Sequence, residues 1–295
     1  MESSRELRHL RADDAEDVAA LIRQSPHRRT DAEEVRSWLG HAAIDPDDLR
    51  VLVQVGRAVG YVDIVVREDV AYVDPAGRGR EDVLLEWAEA RALEKGASSI
   101  RATTWEDQHE LASLLARRGY ARIRSSFLME IALGEEPPAA PSWPPGIAVR
   151  TYRHPEDEQL AYELQEEAFQ DAWDYRPVTL DEWRDYQVKA RGFDPSLWFL
   201  ASAGDEPAGV LLAFPERVGE PDLGFISILG VRRLWRRRGV AEALLRHAFG
   251  ALHARGLRRV GLGVDAESPT GATRLYERVG MSVRVRADTW EKRLN

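Results

Sequence analysis

The chain contains no cysteine. Disulfides, thiolate metal sites and a cysteine nucleophile are excluded together, and an intracellular, cytoplasmic chain becomes the expectation. Long apolar runs are also missing. The run Val210–Phe214 is far shorter than the roughly 20 residues that a membrane helix needs, and the opening MESSRELRHLRADD has no apolar segment of a secretion signal. The seven histidines form no HExxH or similar ligand spacing, so no metal is expected. Neither a Walker loop ending in Gly-Lys-Ser/Thr nor a G-x-G-x-x-G fingerprint occurs. With 41 basic and 50 acidic residues the net charge is −9, which argues against a nucleic-acid partner. No membrane partner is expected either, and the chain is read as a monomer or homodimer.

What is present is a folded chain: 44% hydrophobic and 31% charged residues over 295 positions, about twice the ~150-residue prior for one domain. Residues 134–146 read GEEPPAAPSWPPG, with five prolines in thirteen positions. Proline fixes φ and removes a backbone donor, so this segment predicts a linker between domains 1–133 and 147–295. The two halves repeat one another. Each opens with a β-like segment (Glu6–Leu10; Ile147–Tyr152) and an acidic helical stretch (Asp13–Arg23; Asp157–Ala172). A second helix follows, with Thr30 or Thr179 as its N-cap, and then two strands, Leu49–Val55 with Val59–Val66, or Trp198–Ala203 with Ala208–Phe214. Leu84 and Leu85 match Leu244 and Leu245, and Gly96 matches Gly256, at a constant offset of 160. The order predicts an α/β fold made of two tandem domains, each a mixed, mostly antiparallel sheet flanked by helices.

Charge is unevenly placed. Segments 1–146, 147–222 and 223–295 carry net −8, −10 and +9. The basic end holds Phe225–Ala248, FISILGVRRLWRRRGVAEALLRHA, in which an apolar strand runs into Arg232, Arg233, Arg236, Arg237 and Arg238, then Gly239, then a helix from Val240. The first N–H groups of a helix lack intrahelical acceptors and the dipole is positive there, so this order suits an anion cradle. A solvated basic helix start has the same pattern.

Arg236-Arg237-Arg238-Gly239-Val240-Ala241 resembles the R/Q-x-x-G-x-G/A acetyl-CoA motif of the GNAT N-acetyltransferase superfamily, with Leu229-Gly230-Val231 five residues before it. Ala272 to Met281 resembles that family's closing A-x-x-L-Y-x-x-x-G-F block, and the duplicated length is similar to its tandem-domain, mycothiol-synthase-like branch. The resemblance implies that Leu229, Gly230 and Val231 offer main-chain groups to the pantetheine arm. It implies that Arg236, Arg237, Arg238, Gly239, Val240 and Ala241 hold the pyrophosphate, with Ser268 where relatives often carry asparagine. It further implies that Tyr276 is the general acid, its pKa brought toward that of the departing thiol. For the base, Asp222, Ser227 and Asp174 stay open, because the glutamate that follows a glycine in the mycothiol-synthase strand is replaced here by Phe225.

The implied activity is acetyl-CoA-dependent N-acetylation of a small, cationic primary amine by direct attack; a CoA-binding regulatory or scaffolding protein without turnover is the alternative. Acceptor pockets in the superfamily lie at the first helices, which assigns Asp171, Trp173, Asp174 and Tyr175 to the amine. The first half serves as a control. Leu115 stands where the second half has Tyr276, and Glu81 where it has Ala241, so the first domain is expected to be catalytically silent.

Overall fold

The computed structural model describes residues 5–28, 30–41, 44–217 and 219–294. Internal contacts divide the chain into two compact units, residues 1–126 with 285–295, and residues 127–284. The proline segment 134–146 contains no helix or strand and belongs to the second unit.

The first unit begins with β1 (Arg5–His9), a 3-10 turn, α1 (Ala15–Ile22) and α2 (Ala32–Trp38). Then come β2 (Leu49–Gln54), β3 (Arg57–Arg67), β4 (Val70–Val73), α3 (Glu81–Glu94), β5 (Ser99–Trp105) and α4 (His109–Arg117). β6 (Ala121–Ala132) follows, its residues 127–132 counted with the second unit. That unit continues with β7 (Ile147–Thr151), α5 (Glu158–Phe169), α6 (Leu180–Trp183), a π-helical turn Arg184–Val188, β8 (Trp198–Ala203), β9 (Glu206–Phe214) and β10 (Leu223–Val231). It closes with α7 (Val240–Ala254), β11 (Arg259–Asp265) and α8 (Ala272–Arg278), and β12 (Ser282–Arg293) then runs into the first unit from residue 285.

The strand order in the first unit is β1-β2-β3-β4-β5-β12, and in the second β7-β8-β9-β10-β11-β6. In both, the first four strands are antiparallel and the fourth and fifth are parallel. The repeat read from glycine and leucine offsets is thus a repeat of topology. It also extends to an ion pair. Arg8 makes a forked pair with the buried Asp14 (2.7 and 2.8 Å), and Arg150 makes the same pair with the buried Asp157 (2.5 and 2.7 Å). Bidentate pairing of a buried carboxylate satisfies both of its oxygens, which sets where each first helix starts. In both units a turn capped by aspartate and opened by proline, Asp45-Pro46 and Asp194-Pro195, leads into the second strand.

The helix caps differ by one residue from expectation in the first half. Asp31, not Thr30, caps α2 by accepting from the Glu34 N–H at 2.9 Å, while the Thr30 hydroxyl donates to the Glu34 carboxylate. An ionised oxygen facing a helix N-terminus is the stronger acceptor. Thr179 caps α6 as expected and forms a capping box with Glu182.

The core of the second unit lies where α7 covers the central strands. Leu244, Leu245, Ala248 and Leu252 are buried in one core with Leu211 of β9, on the face where a Cβ at Gly209 would meet Leu244, while Val210 lies on the opposite face beside Ala168 of α5. Close packing forces glycine at two strand positions. A Cβ on Gly209 would stand 2.8 Å from the Gly230 carbonyl oxygen, and one on Gly230 would stand 2.9 Å from the Ala168 methyl of α5. Among the described residues no helix is long and apolar enough to cross a membrane.

Candidate active site

β10 and β11 pair only from Leu223 to Ile226 and from Arg259 to Leu262, although β10 continues to Val231 and β11 to Asp265. The strands part at a bulge. The register between β9 and β10 shifts from Ile226 to Ile228, leaving Ser227 as the extra residue. A bulge bends its strand and raises its twist, so the backbone of 227–231 keeps its partner β9 on one side and turns an unpaired edge to the other. Such an edge accepts an added strand or an extended amide-bearing arm.

The chain leaves this edge through the arginine loop and enters α7 at Gly239, whose φ of 86° lies in the left-handed region. Arg237, with φ 60°, takes the same conformation two residues earlier. Alternating handedness in such a turn aims successive N–H groups toward one side, and the first N–H groups of the 15-residue α7 add to them. Val240 is buried in the core, so it faces a ligand through its backbone alone. Gly239 also borders the proline segment, since a Cβ there would meet Pro144 at 3.5 Å. Trp143 of that segment packs edge-on against His247 of α7.

The arginines divide into two sets. Arg236 donates from Nε to the Val231 carbonyl (3.1 Å), from Nη2 to the Ala168 carbonyl (3.1 Å) and from Nη1 to Asp171 (2.7 Å). Arg233 forms a forked pair with the same Asp171, and Arg232 pairs with Glu167 at 2.7 Å. These three pin the loop to the end of α5, where cations also meet the negative end of the helix dipole. Among the described residues neither Arg237 nor Arg238 has a carboxylate partner, and Arg238 lies over the Trp235 ring at 5.0 Å.

α8 starts where β11 ends, beyond the point of strand separation. It carries Tyr276, 8% exposed, among the buried side chains of the unit. Burial pushes the Tyr276 hydroxyl up to about 12, opposite to the shift expected from the motif, so the phenol keeps its proton at neutral pH. In the turn before α8, Ser268 shares a hydrogen bond with Thr270 at 3.0 Å and its carbonyl accepts from the Gly271 N–H.

Residues 159–281 match the acetyltransferase (GNAT) family. The chain is 32% identical over 213 residues to the mycothiol acetyltransferase of Thermobispora bispora, covering 70% of this chain and 68% of that protein. Matches to five further proteins of that name cover 60 to 65% of their length. Among solved structures, a GCN5-related N-acetyltransferase from Sphaerobacter thermophilus superposes with a TM-score of 0.81 at 32% identity, covering 99% of this chain and 96% of that one. A tandem GNAT protein from the clavulanic acid biosynthesis pathway shares the fold at TM-score 0.78 and 18% identity, covering 99% of each chain. The chain belongs to the GNAT acetyltransferase family. It is an N-acetyltransferase of tandem GNAT architecture, from a family that uses acetyl-CoA or another acyl-CoA.

Within this GNAT fold the candidate bases separate. Asp222 precedes β10 and is held by Arg259 at 3.0 Å, which keeps its carboxyl below the usual range. At about 3.3 Å of rise per residue it lies some 15 Å of strand away from the bulge, at the end opposite to the cradle, and this removes it from the role of base. Asp174 pairs with Arg176 at 3.3 Å. Ser227 sits at the bulge, its hydroxyl within reach of the Leu212 carbonyl (3.2 Å) and Gln187 Oε1 (3.3 Å). Gln187 escaped sequence reading because it lies 40 residues away, on a π-helical turn that no local pattern announces. Phe225 packs under the Arg217 guanidinium at 5.8 Å, so no carboxylate stands at that position.

The acceptor candidates are also more tightly engaged than their composition suggests. Asp171 is spent on Arg233 and Arg236, which hold its carboxyl below the usual range; in this structure it anchors the arginine loop. The Tyr175 hydroxyl donates to Glu166 at 2.7 Å, and desolvation together with this bond pushes it up to about 12. Trp173 is 39% exposed. Among the described residues no group of three or more His, Asp or Glu side chains could hold a metal ion.

Proposed function

We propose that this protein transfers an acetyl group from acetyl-CoA to the primary amine of a small, cationic acceptor, by direct attack in a ternary complex. The observation that carries this reading is the parting of β10 and β11, which leaves the 227–231 edge unpaired beside the N-terminus of α7. Acetyl-CoA, when bound, supplies the acetyl thioester. Leu229, Gly230 and Val231 offer backbone groups to its amide-bearing arm, and the N–H groups of 237–241 with Arg237 and Arg238 take the pyrophosphate charge. Tyr276 holds a proton at its hydroxyl for the departing thiolate. Ser227, with Gln187 beside it, orients the amine or a water at the bulge.

Support for a cationic acceptor is electrostatic. Segment 147–222 has 17 acidic and 7 basic residues, an excess of ten; among the described residues six arginines from beyond it (Arg232, Arg233, Arg236, Arg255, Arg259 and Arg284) pair with its carboxylates, so a smaller negative excess of four remains. The relatives' name makes a mycothiol-type acceptor one member of the test set, and Phe225 argues for a different amine. Release of free CoA from acetyl-CoA is measured against amino sugars, polyamines and cysteinyl conjugates. The expected result is release with at least one cationic amine; acetyl-CoA binding without release for any of them overturns the reading in favour of a CoA-binding scaffold.

A further inference from the structure

The first unit holds a cavity of about 320 Å³ beneath α2 and β3, lined by residues of that unit alone. Trp38 and Tyr61, stacked at 5.7 Å, form an aromatic wall, and Asp45, Asp48, Asp63 and Lys95 supply its polar groups. Almost every carboxylate in and around it already has a cation. Asp48 is held by Arg91 at 2.9 Å and by Lys95, Asp45 accepts from Lys95 at 3.4 Å, and Asp74 is paired with the buried Arg28. Asp63 is the exception. Its Oδ1 is sealed from solvent and has no hydrogen-bond partner among the described residues. A buried polar atom left unpaired costs about 1–3 kcal/mol, more when charged, so a cation beside the Asp63 carboxylate, which lines the cavity, would offset that cost.

We propose that this cavity is a binding site for a small organic cation, a primary ammonium with an apolar body, whose charge is taken by Asp63 and whose body lies against Trp38. Three carboxylates exclude an anion. A neutral apolar ligand leaves the Asp63 carboxylate without a countercharge at the cavity wall, whereas an ammonium supplies one, and the indole face adds cation–π attraction. The volume lies at the lower end for small-molecule sites, which limits the ligand to a simple amine.

Proton linkage follows from the surroundings. The groups facing Asp63 are Tyr61 on its own strand, Asp74 after β4, Arg28 ahead of α2, and across the cavity Asp45, Asp48 and Lys95. Burial, with the nearby Asp74 charge, raises Asp63 from 3.8 to about 7. A cation entering at pH 6 therefore ionises a mostly protonated carboxyl and expels its proton. In the same way, the stability that the neutral carboxyl allows is complete below about pH 4 and is lost as pH rises through 7.

The test is calorimetric titration of the full-length protein with phenethylamine, in two buffers of different ionisation enthalpy, with neutral 2-phenylethanol as control. Saturable binding of the amine and at least tenfold weaker binding of the alcohol are expected. Proton release of about 0.9 per amine at pH 6 should fall to near zero at pH 8.5. Asp63→Asn should weaken amine binding at least tenfold, raise Tm at pH 8 and leave CoA release unchanged, which separates this site from the acceptor site of the second unit. Absence of saturable binding, or binding that survives Asp63→Asn, overturns the proposal.

Discussion

Tyr276 keeps its proton because burial disfavours the phenolate. As the proposed donor it is a weaker acid than an ordinary thiol, at about 8.5, so the proton passes to sulfur only in step with cleavage of the C–S bond. A donor of this kind has a defined pH window. With its hydroxyl at about 12, the donor form is complete below pH 10 and is lost only as pH rises through 12. A pH profile of kcat/KM should therefore show no Tyr276 falling limb up to pH 10. Its rising limb should instead follow the acceptor's own ammonium, because among the described residues the Ser227 hydroxyl at the bulge meets the Leu212 carbonyl and Gln187 and no carboxylate. Changing the acceptor's pKa and watching the limb move checks this; a limb fixed near pH 6 for all acceptors would require an enzyme base. Tyr276→Phe removes the donor and keeps the ring in the core. Turnover is expected to fall about 100-fold, the lower end for general-acid loss, with acetyl-CoA Kd within a factor of two in a binding titration.

At the scale of elements, the stretch from β10 through the arginine loop to α7 works because α5 holds it in place. Arg236 ties the Val231 carbonyl, the Ala168 carbonyl and Asp171 into one knot. Cutting the knot should loosen the cradle as a whole. Arg236→Ala is expected to lower Tm and raise the KM for acetyl-CoA together, and Asp171→Asn should raise the KM for acetyl-CoA more than that for the amine. Arg238→Ala, by contrast, should raise the acetyl-CoA KM without moving Tm, with an effect that shrinks in high salt as exposed charges are screened. Thermal melts and steady-state kinetics on the three variants separate the two sets of arginines. The elements themselves were legible in the sequence: β8 runs over Trp198–Ala203 and α7 starts at Val240, both as read. Hydrophobic periodicity and glycine punctuation act over a few residues, so they report local structure faithfully. The division of labour among five adjacent arginines was not legible, since it depends on carboxylates and carbonyls more than 60 residues away.

In the molecule as a whole, one fold occurs twice with different fittings. The second unit keeps an unpaired strand edge and a helix N-terminus beside arginines. In the first, β4 is four residues long and all four pair with β5. Beyond it, Pro75 offers no N–H, and its carbonyl is already taken by Arg28 at 2.9 Å. The start of α3 carries its own carboxylate, with Glu81 accepting from the Arg80 N–H at 3.0 Å. A groove of about 400 Å³ beside this loop is lined by Arg57, Arg78 and Arg80, but Arg57 is bound by Asp17, and Gln24 takes the Arg78 N–H. Titration of the full-length protein with acetyl-CoA should therefore reach one equivalent per chain; two equivalents would assign a second cradle to the first unit.

The sequence by itself determined the duplication, the order of strands and helices, and the strand–arginine–glycine–helix motif with its tyrosine, because each is written in residues that are neighbours along the chain. Only the tertiary structure decided that Asp171 anchors a loop, that Asp222 lies at the wrong end of its strand, and that Ser227 meets Gln187 at the bulge. It alone also decided that Asp63, at the first unit's cavity, keeps its Oδ1 without a hydrogen-bond partner among the described residues. Hydrogen-bond partners and burial arise when distant segments meet, and they set both which charges are cancelled inside the fold and which are left for a ligand.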